Sequence, residues 1–330
     1  MVTPFSVLFF SSLVLGLLLC VSSNSWFGAW AGLELNLMSF IPLISSSNNQ
    51  YSSEGALKYF LIQALASIMI IFSTSFTLMF SNFILIFSLS LLLKLGGAPF
   101  HFWFPQVMEG LSWGQAVILM TIQKVGPMFL LTYLVFDSNS YMLIFSSALI
   151  SAIVGAVSGL NQTFLRKIMA FSSINHMSWM FLAMIMSEIC WVLYFSVYCF
   201  LSIMVIMSFY LQQAYHFSHL MNSGTPLVLK ATSMLSLFSM GGLPPFLGFI
   251  PKWIVMQELI MCKYFYSLIL LLLCSLLTLY FYIRLSMLFL TLSFPFSSWS
   301  VKSHNTSLMS PMLMFMNFSG IFIPSFYMFA

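Results

Sequence analysis

The chain has 330 residues, of which 61% are hydrophobic and only 5% charged, with a mean hydropathy of +1.04. So few charges cannot cover the surface of a water-soluble domain. Strand-type alternation is absent, which excludes a membrane β-barrel, and a net charge of +4 without basic clusters gives no footprint for a nucleic-acid partner.

In chain order, "MVTPFSVLFFSSLVLGLLLC" carries no basic leader and no small-residue cleavage site, and reads as a first span over 4–23 rather than a targeting peptide. Further spans are expected near 26–44, 56–80, 82–105, 112–136, 140–160, 164–186, 189–213, 228–260, 264–291 and 309–329. Each holds about the 20 residues that a helix needs to cross a bilayer. The expectation is an all-α polytopic membrane protein of about eleven transmembrane helices, with a single membrane domain over residues 1–330. Lys58, Arg166, Lys167, Lys230 and Lys302 border the even-numbered loops, whereas Lys263 is the clear cation of the odd ones. By the positive-inside rule the N-terminus is expected inside and the C-terminus outside. A chain this apolar, with 26 Met and 37 Phe, is most simply made beside its own membrane, which points to an organellar inner membrane.

The fourth expected span is interrupted by "KLGGAPFHFWFP", and the ninth by "GGLPPFLGFIPKW". Pro99 and Pro105 precede Pro245 and Pro251 by the same 146 residues. The fourth and ninth spans run in opposite directions, because their places in the order of crossings differ by five, an odd number. Matched breaks in antiparallel copies are the mark of an inverted-topology repeat. Two inverted five-helix repeats with two discontinuous helices are therefore expected, over about 1–137 and 140–291, followed by a C-terminal helix over 309–329. Glycine and proline free backbone groups that lipid cannot satisfy, so each break must line protein or water.

Four ionisable residues lie far from any loop: Glu34, Lys94, Lys124 and Lys252. A charge at the bilayer centre costs about 2.5–3.5 kcal/mol, so four cost on the order of 10 kcal/mol, as much as the net stability of a domain. They are tolerable in a protein-lined, partly hydrated interior, and Glu34 is expected to pair with Lys94. Lys94 ends its half-helix, where the dipole favours a cation, whereas Lys252 begins one, where it does not. Burial disfavours the charged form of a lysine, which lets such side chains take up and release protons. His101 and His176 are supporting candidates for a proton path, and Gln123, Ser172, Ser173 and Asn175 for holding water. His216 and His219 read as loop residues, and Arg166 and Lys167 as orientation signals that contact anionic lipid. The five cysteines (Cys20, Cys190, Cys199, Cys262 and Cys274) have no iron–sulfur, haem or zinc spacing. No nucleotide-binding loop is present. Neither a metal site nor a cofactor site is expected on this chain.

The stretches "GAWAGLELNLMSFIPL", "EGALKYFLIQALAS", "KLGGAPFHFWFP", "IQKVGP", "GLNQTFLRKIMAFSSINHMSWM" and "GGLPPFLGFIPKW" closely resemble the mitochondrial NADH dehydrogenase subunit 2 family, antiporter-like membrane subunits of respiratory complex I. The resemblance runs in order over roughly residues 26–255; beyond that it is one of hydrophobicity alone. It implies proton translocation across the mitochondrial inner membrane while other subunits, with FMN and iron–sulfur clusters, pass electrons from NADH to ubiquinone. It assigns Glu34 to the glutamate of "GLE", paired with Lys94, Lys124 to the central lysine of "QK", and Lys252 to the lysine of "PKW" near the exit. A charge change from a neighbour would alter the Glu34–Lys94 pair, then Lys124, then Lys252. The resemblance is to the shortened animal form, which is expected to begin at the first repeat without the three further N-terminal helices of bacterial relatives. Implied partners are a neighbouring antiporter-like subunit, small membrane subunits and phospholipids such as cardiolipin. A scaffold subunit that does not pump, or a stand-alone cation/proton antiporter, are the alternatives.

Overall fold

A computed structural model describes residues 4–45, 49–76, 83–220 and 227–291. The described residues are helical apart from turns and one isolated bridge between Phe164 and His216. Two compact units, Met1–Ser151 and Ala152–Ala330, divide the chain.

In the first unit, α1 (Pro4–Ser22) and α2 (Trp26–Ser45) form a hairpin. Ser25 starts α2 as its cap: its hydroxyl accepts the Gly28 N–H at 3.2 Å and its carbonyl the Ala29 N–H at 3.0 Å. The two backbones touch at Gly16 and Gly32. A Cβ on Gly32 would come 2.6 Å from the Cys20 nitrogen, and one on Gly16 would come 3.0 Å from the Gly32 oxygen. Gly16 and Gly32, facing each other, give the small-residue contact that membrane helices use for close packing. The far side of α1 exposes Phe5, Leu8, Leu15 and Leu18, as suits a helix solvated by lipid.

Helix α3 (Gln50–Phe76) begins before the expected residue 56. The added turns are polar, and a Lys58–Glu54 salt bridge of 2.7 Å one turn apart supports them. The first broken helix is α4 (Phe83–Leu95) followed by α5 (Trp103–Gly110). It ends in a Schellman motif. Gly96 has φ +71°, the Gly97 N–H reaches the Leu92 oxygen at 3.1 Å, and the Gly96 N–H reaches the Leu93 oxygen at 3.2 Å. Two side chains complete the end: Trp103 Nε1 donates to the Leu93 oxygen at 3.1 Å, and Gln63 Nε2 to the Lys94 oxygen at 3.1 Å.

The fifth expected span is also irregular. It is divided at Thr121 into α6 (Trp113–Met120) and α7 (Ile122–Leu134). Pro127 has no N–H and its ring crowds the carbonyl four residues before it, so the distortion falls in the turn that holds Lys124. Thr121 bridges it, its hydroxyl donating to the Val117 oxygen at 2.7 Å and its carbonyl accepting the Lys124 N–H at 3.1 Å.

Helix α8 (Ser138–Gly159) runs across the division between the units. In the second unit α9 (Leu165–Met186) is the central helix, buried continuously from Ile168 to Met184. A Cβ on Gly155 would come 2.7 Å from the Asn175 nitrogen, so α8 and α9 also meet at backbone distance. Next come α10 (Glu188–Leu211), a single turn α11 (Phe217–Leu220), the broken pair α12 (Leu227–Gly241) and α13 (Phe249–Met261), and α14 (Phe265–Thr291). The second break repeats the Schellman motif. Gly242 has φ +76°, the Leu243 N–H reaches the Phe238 oxygen at 3.4 Å, and the Gly242 N–H reaches the Ser239 oxygen at 3.1 Å. Gly248 lies flat on the same Ser239 carbonyl, leaving no space for a Cβ.

Eight described helices are long and apolar enough to cross a membrane. The expected eleven are not reached among the described residues: the two broken helices have halves too short to count, and 309–329, like Lys302, lies outside them. From α1 and again from α8 the order is three long helices, a broken one and a fifth.

Gly32→Ala is expected to push α1 from α2 at an overpacking cost of roughly 1–3 kcal/mol and to lower the thermal midpoint of the detergent-solubilised protein. Gly114→Ala, with nothing within 4 Å of the added Cβ, is expected to leave it unchanged. Gly248→Ala is expected to be worse than Gly32→Ala in the same assay, because the Ser239 carbonyl cannot move without opening the end of α12.

Candidate functional site

The first unit encloses a cavity of about 20 Å³ lined by Lys94, Lys124, Asn36, Tyr59, Gln63 and Gln123. That exceeds the roughly 10–15 Å³ needed to hold one water. Helical periodicity explains the lining. Leu33, Asn36 and Leu37 form one stripe of α2, Tyr59 and Gln63 are one turn apart on α3, and Gln123, Lys124 and Pro127 face inward from α7. A polar chain crosses the lining: Tyr59 Oη donates to Gln123 Oε1 at 3.2 Å, and Gln123 Nε2 donates to Asn36 Oδ1 at 3.2 Å. Both lysines are buried, and Lys124 Nζ lies 5.1 Å from the centroid of Phe104, within cation–π range.

Glu34 does not make the direct pair expected with Lys94, since the two are not within salt-bridge distance. Each helical residue turns by about 100°, so Glu34 stands off the stripe formed by Leu33, Asn36 and Leu37. Its Oε2 is buried without a hydrogen-bond partner. Glu34 still acts on Lys94 and Tyr59 through space.

In the second unit, Lys252 sits in the first turn of α13, buried, yet its Nζ donates to the Gly241 oxygen at 2.8 Å. The N-terminus of its own helix remains unfavourable to this cation, and the contact with Gly241 offsets it. The ammonium caps the C-terminal end of α12, where the dipole favours positive charge. The two breaks thus place a lysine at the same kind of helix end by different routes. Lys94 belongs to the last turn of α4, while Lys252 reaches back across the break. The position matching Lys94 at the 146-residue offset is Met240.

Lys252 Nζ lies 5.9 Å from the Trp179 ring, Trp179 is near-parallel to Tyr194 at 6.5 Å, and Tyr194 Oη is 3.0 Å from His176 Nδ1. The His176 ring also lies 5.3 Å from that of Tyr198. His176 and Lys252 therefore share one buried aromatic cluster. On the same helix as His176, Asn175 Nδ2 donates to Thr278 Oγ1 at 3.5 Å, and Ser172 and Ser173 bond backbone carbonyls of their own helix. His101 stays local, its Nδ1 3.2 Å from the Pro99 oxygen in the loop of the first break, and it is not among the residues lining the cavity. Arg166 and Lys167 lie over Tyr215 and Phe164, at 4.9 and 5.2 Å.

Tyr59, Gln63 and Asn36, and in the second unit Trp179, Tyr194 and Tyr198, were not anticipated from the sequence. A signal existed in polar or amphipathic residues at i, i+4 spacing inside apolar helices, as in Tyr59/Gln63 and Tyr194/Tyr198. Such residues are expensive in lipid and turn toward one another.

The family described as NADH:quinone oxidoreductase/Mrp antiporter, transmembrane region, matches residues 23–279. The chain is 45% identical over 326 residues to the NADH-ubiquinone oxidoreductase chain 2 of Anopheles gambiae, covering 95% of this chain and 94% of that one. A chain of respiratory complex I from Thermus thermophilus superposes with a TM-score of 0.76 at 23% identity, over 90% of this chain and 72% of that one. A chain of the membrane-bound sulfane sulfur reductase, an archaeal respiratory membrane complex, gives a TM-score of 0.82 at 15% identity, over 97% and 73%. With two glycine-terminated helix breaks, buried lysines beside them and sequence identity across nearly its full length, this chain belongs to the NADH:quinone oxidoreductase/Mrp antiporter family.

Proposed function

We propose that the chain is a core membrane-arm subunit of NADH:ubiquinone oxidoreductase, carrying protons across the mitochondrial inner membrane. Its N-terminus faces the matrix, as the basic loops indicate, and its C-terminus the intermembrane space. Residues 1–137 and 140–291 form the inverted repeats. NADH, FMN, the iron–sulfur clusters and ubiquinone act on other chains, and a second antiporter-like subunit, small membrane subunits and anionic phospholipid flank this one.

The observation that carries this reading is the cavity with Lys94 and Lys124 in one lining. Two ammonium groups in a small, low-dielectric space repel strongly, so the cavity favours one mobile proton rather than two. Asn36, Tyr59 and Gln123 supply donors and acceptors for water between the amines. Glu34, half-buried and with its Oε2 enclosed without a hydrogen-bond partner, is the lever. A charge change arriving beside it alters the stabilisation it gives the Lys94 ammonium and so shifts the proton toward or away from Lys124. In the second unit Lys252, His176 and Tyr194 form the corresponding set. This coupling requires two arrangements whose balance a neighbour biases.

Lys124→Met in the assembled complex is expected to abolish most proton pumping and to slow NADH oxidation coupled to it, with assembly intact on native gels. Wild-type values for both would reduce the chain to a scaffold. Gln123→Leu breaks the Tyr59–Gln123–Asn36 chain, leaving buried polar groups at about 1–3 kcal/mol each. It is expected to lower pumping less than Lys124→Met does, and equal pumping to wild type would remove the polar chain from the path.

A further inference from the structure

A second, larger recess in the first unit, about 350 Å³ in volume, opens at the α1–α2 turn. Its mouth is polar and exposed, formed by the Ser23–Asn24–Ser25 turn with Trp26 and Tyr133 beside it, and its floor is buried Cys20, Ala29 and Leu130. That turn lies on the side assigned to the outside by the distribution of loop cations. The recess and the lysine cavity follow each other along two antiparallel helices. On α2 the lining passes from Ala29 to Leu33, and on α7 from Leu130 to Pro127. At 1.5 Å per residue the separation is only about 5–6 Å, a single turn.

What fills that turn is apolar. Gly126 presents no side chain, and a Cβ there would come 3.1 Å from Leu33 Cδ2, 3.3 Å from Cys20 Sγ and 3.7 Å from Leu17 Cδ2. Three side chains from α1 and α2 thus close over a bare patch of α7, next to the proline that leaves this helix one hydrogen bond short. Apolar constrictions of this kind gate by excluding water.

We propose that the recess is a water-filled outer vestibule, and that Leu17, Cys20 and Leu33, closing around Gly126, form a one-turn apolar gate between it and the lysine cavity. The gate opens when α7 bends at Pro127, joining the two spaces and giving protons a route between the lysines and the outer face. This rests on the proton-carrying reading of the cavity, which the Lys124→Met test addresses by itself; the gate is tested without turnover.

The assembled complex is reconstituted in liposomes and its passive proton conductance measured without NADH. Leu33→Ser, which lets water wet the constriction, is expected to raise the leak several-fold over wild type; an unchanged leak in an assembled variant overturns the gate. Independently, Cys20 in the wild-type complex is treated from the outer side with a charged, membrane-impermeant thiosulfonate or with an uncharged lipid-soluble maleimide, and its modification is read by mass spectrometry. Modification by the charged reagent supports the vestibule. Modification by the maleimide alone means that a lipid chain fills the recess, and no modification by either means that the recess does not admit solutes; both outcomes overturn the proposal.

Discussion

A backbone carbonyl released at the depth of the bilayer has no water to turn to, and each one left unmet costs several kcal/mol. Both broken helices obey this constraint. At the first break the Leu92, Leu93 and Lys94 carbonyls are taken by glycine N–H groups, the Trp103 indole and the Gln63 amide. At the second, the Phe238 and Ser239 carbonyls are taken by the turn and Gly241 by the Lys252 ammonium. The turns satisfy part of these carbonyls, but Gln63, Trp103 and Lys252 come from neighbouring elements, so the breaks must be wrapped by protein, and the positions of α3, α5 and α13 follow from that requirement.

The same wrapping makes buried cations tolerable. All three lysines sit where a helix is irregular: Lys94 in the last turn before a break, Lys252 just after one, and Lys124 in the turn distorted by Pro127. An irregular turn exposes carbonyls, and carbonyls stabilise ammonium groups, so helix irregularity and buried positive charge support each other. Each lysine meets a different partner as well. Lys94 lies within the field of Glu34, Lys124 lies over Phe104 and Lys252 on the Gly241 carbonyl.

The helical class, the family, the two glycine–proline breaks and the four intramembrane charges were legible in the sequence because each depends on local chemistry: length of apolar run, φ > 0 at glycine, a charge without a loop. What escaped it depends on which side of a helix faces which neighbour. Glu34 and Lys94 looked like a pair on grounds of charge and depth, yet a rotation of one residue along α2 turns Glu34 away from the cavity. Lys252 looked dipole-disfavoured on its own helix, and only the fold shows it capping another. The irregularity at Thr121 was hidden because Gly126 and Pro127 lie one turn beyond its effect. Tyr59 and Asn36, ordinary residues in apolar segments, gain meaning only when α3 and α2 are brought to Gln123 on α7.

Central to the account is a wet contact between Lys94 and Lys124 inside the first unit. Its most direct test is a map of the assembled complex at a resolution that shows ordered solvent. The account predicts water density in the cavity within hydrogen-bonding distance of both lysine Nζ atoms and of Gln123 or Asn36. A cavity filled by side chains or by a lipid tail, with the two lysines isolated from each other, would contradict it.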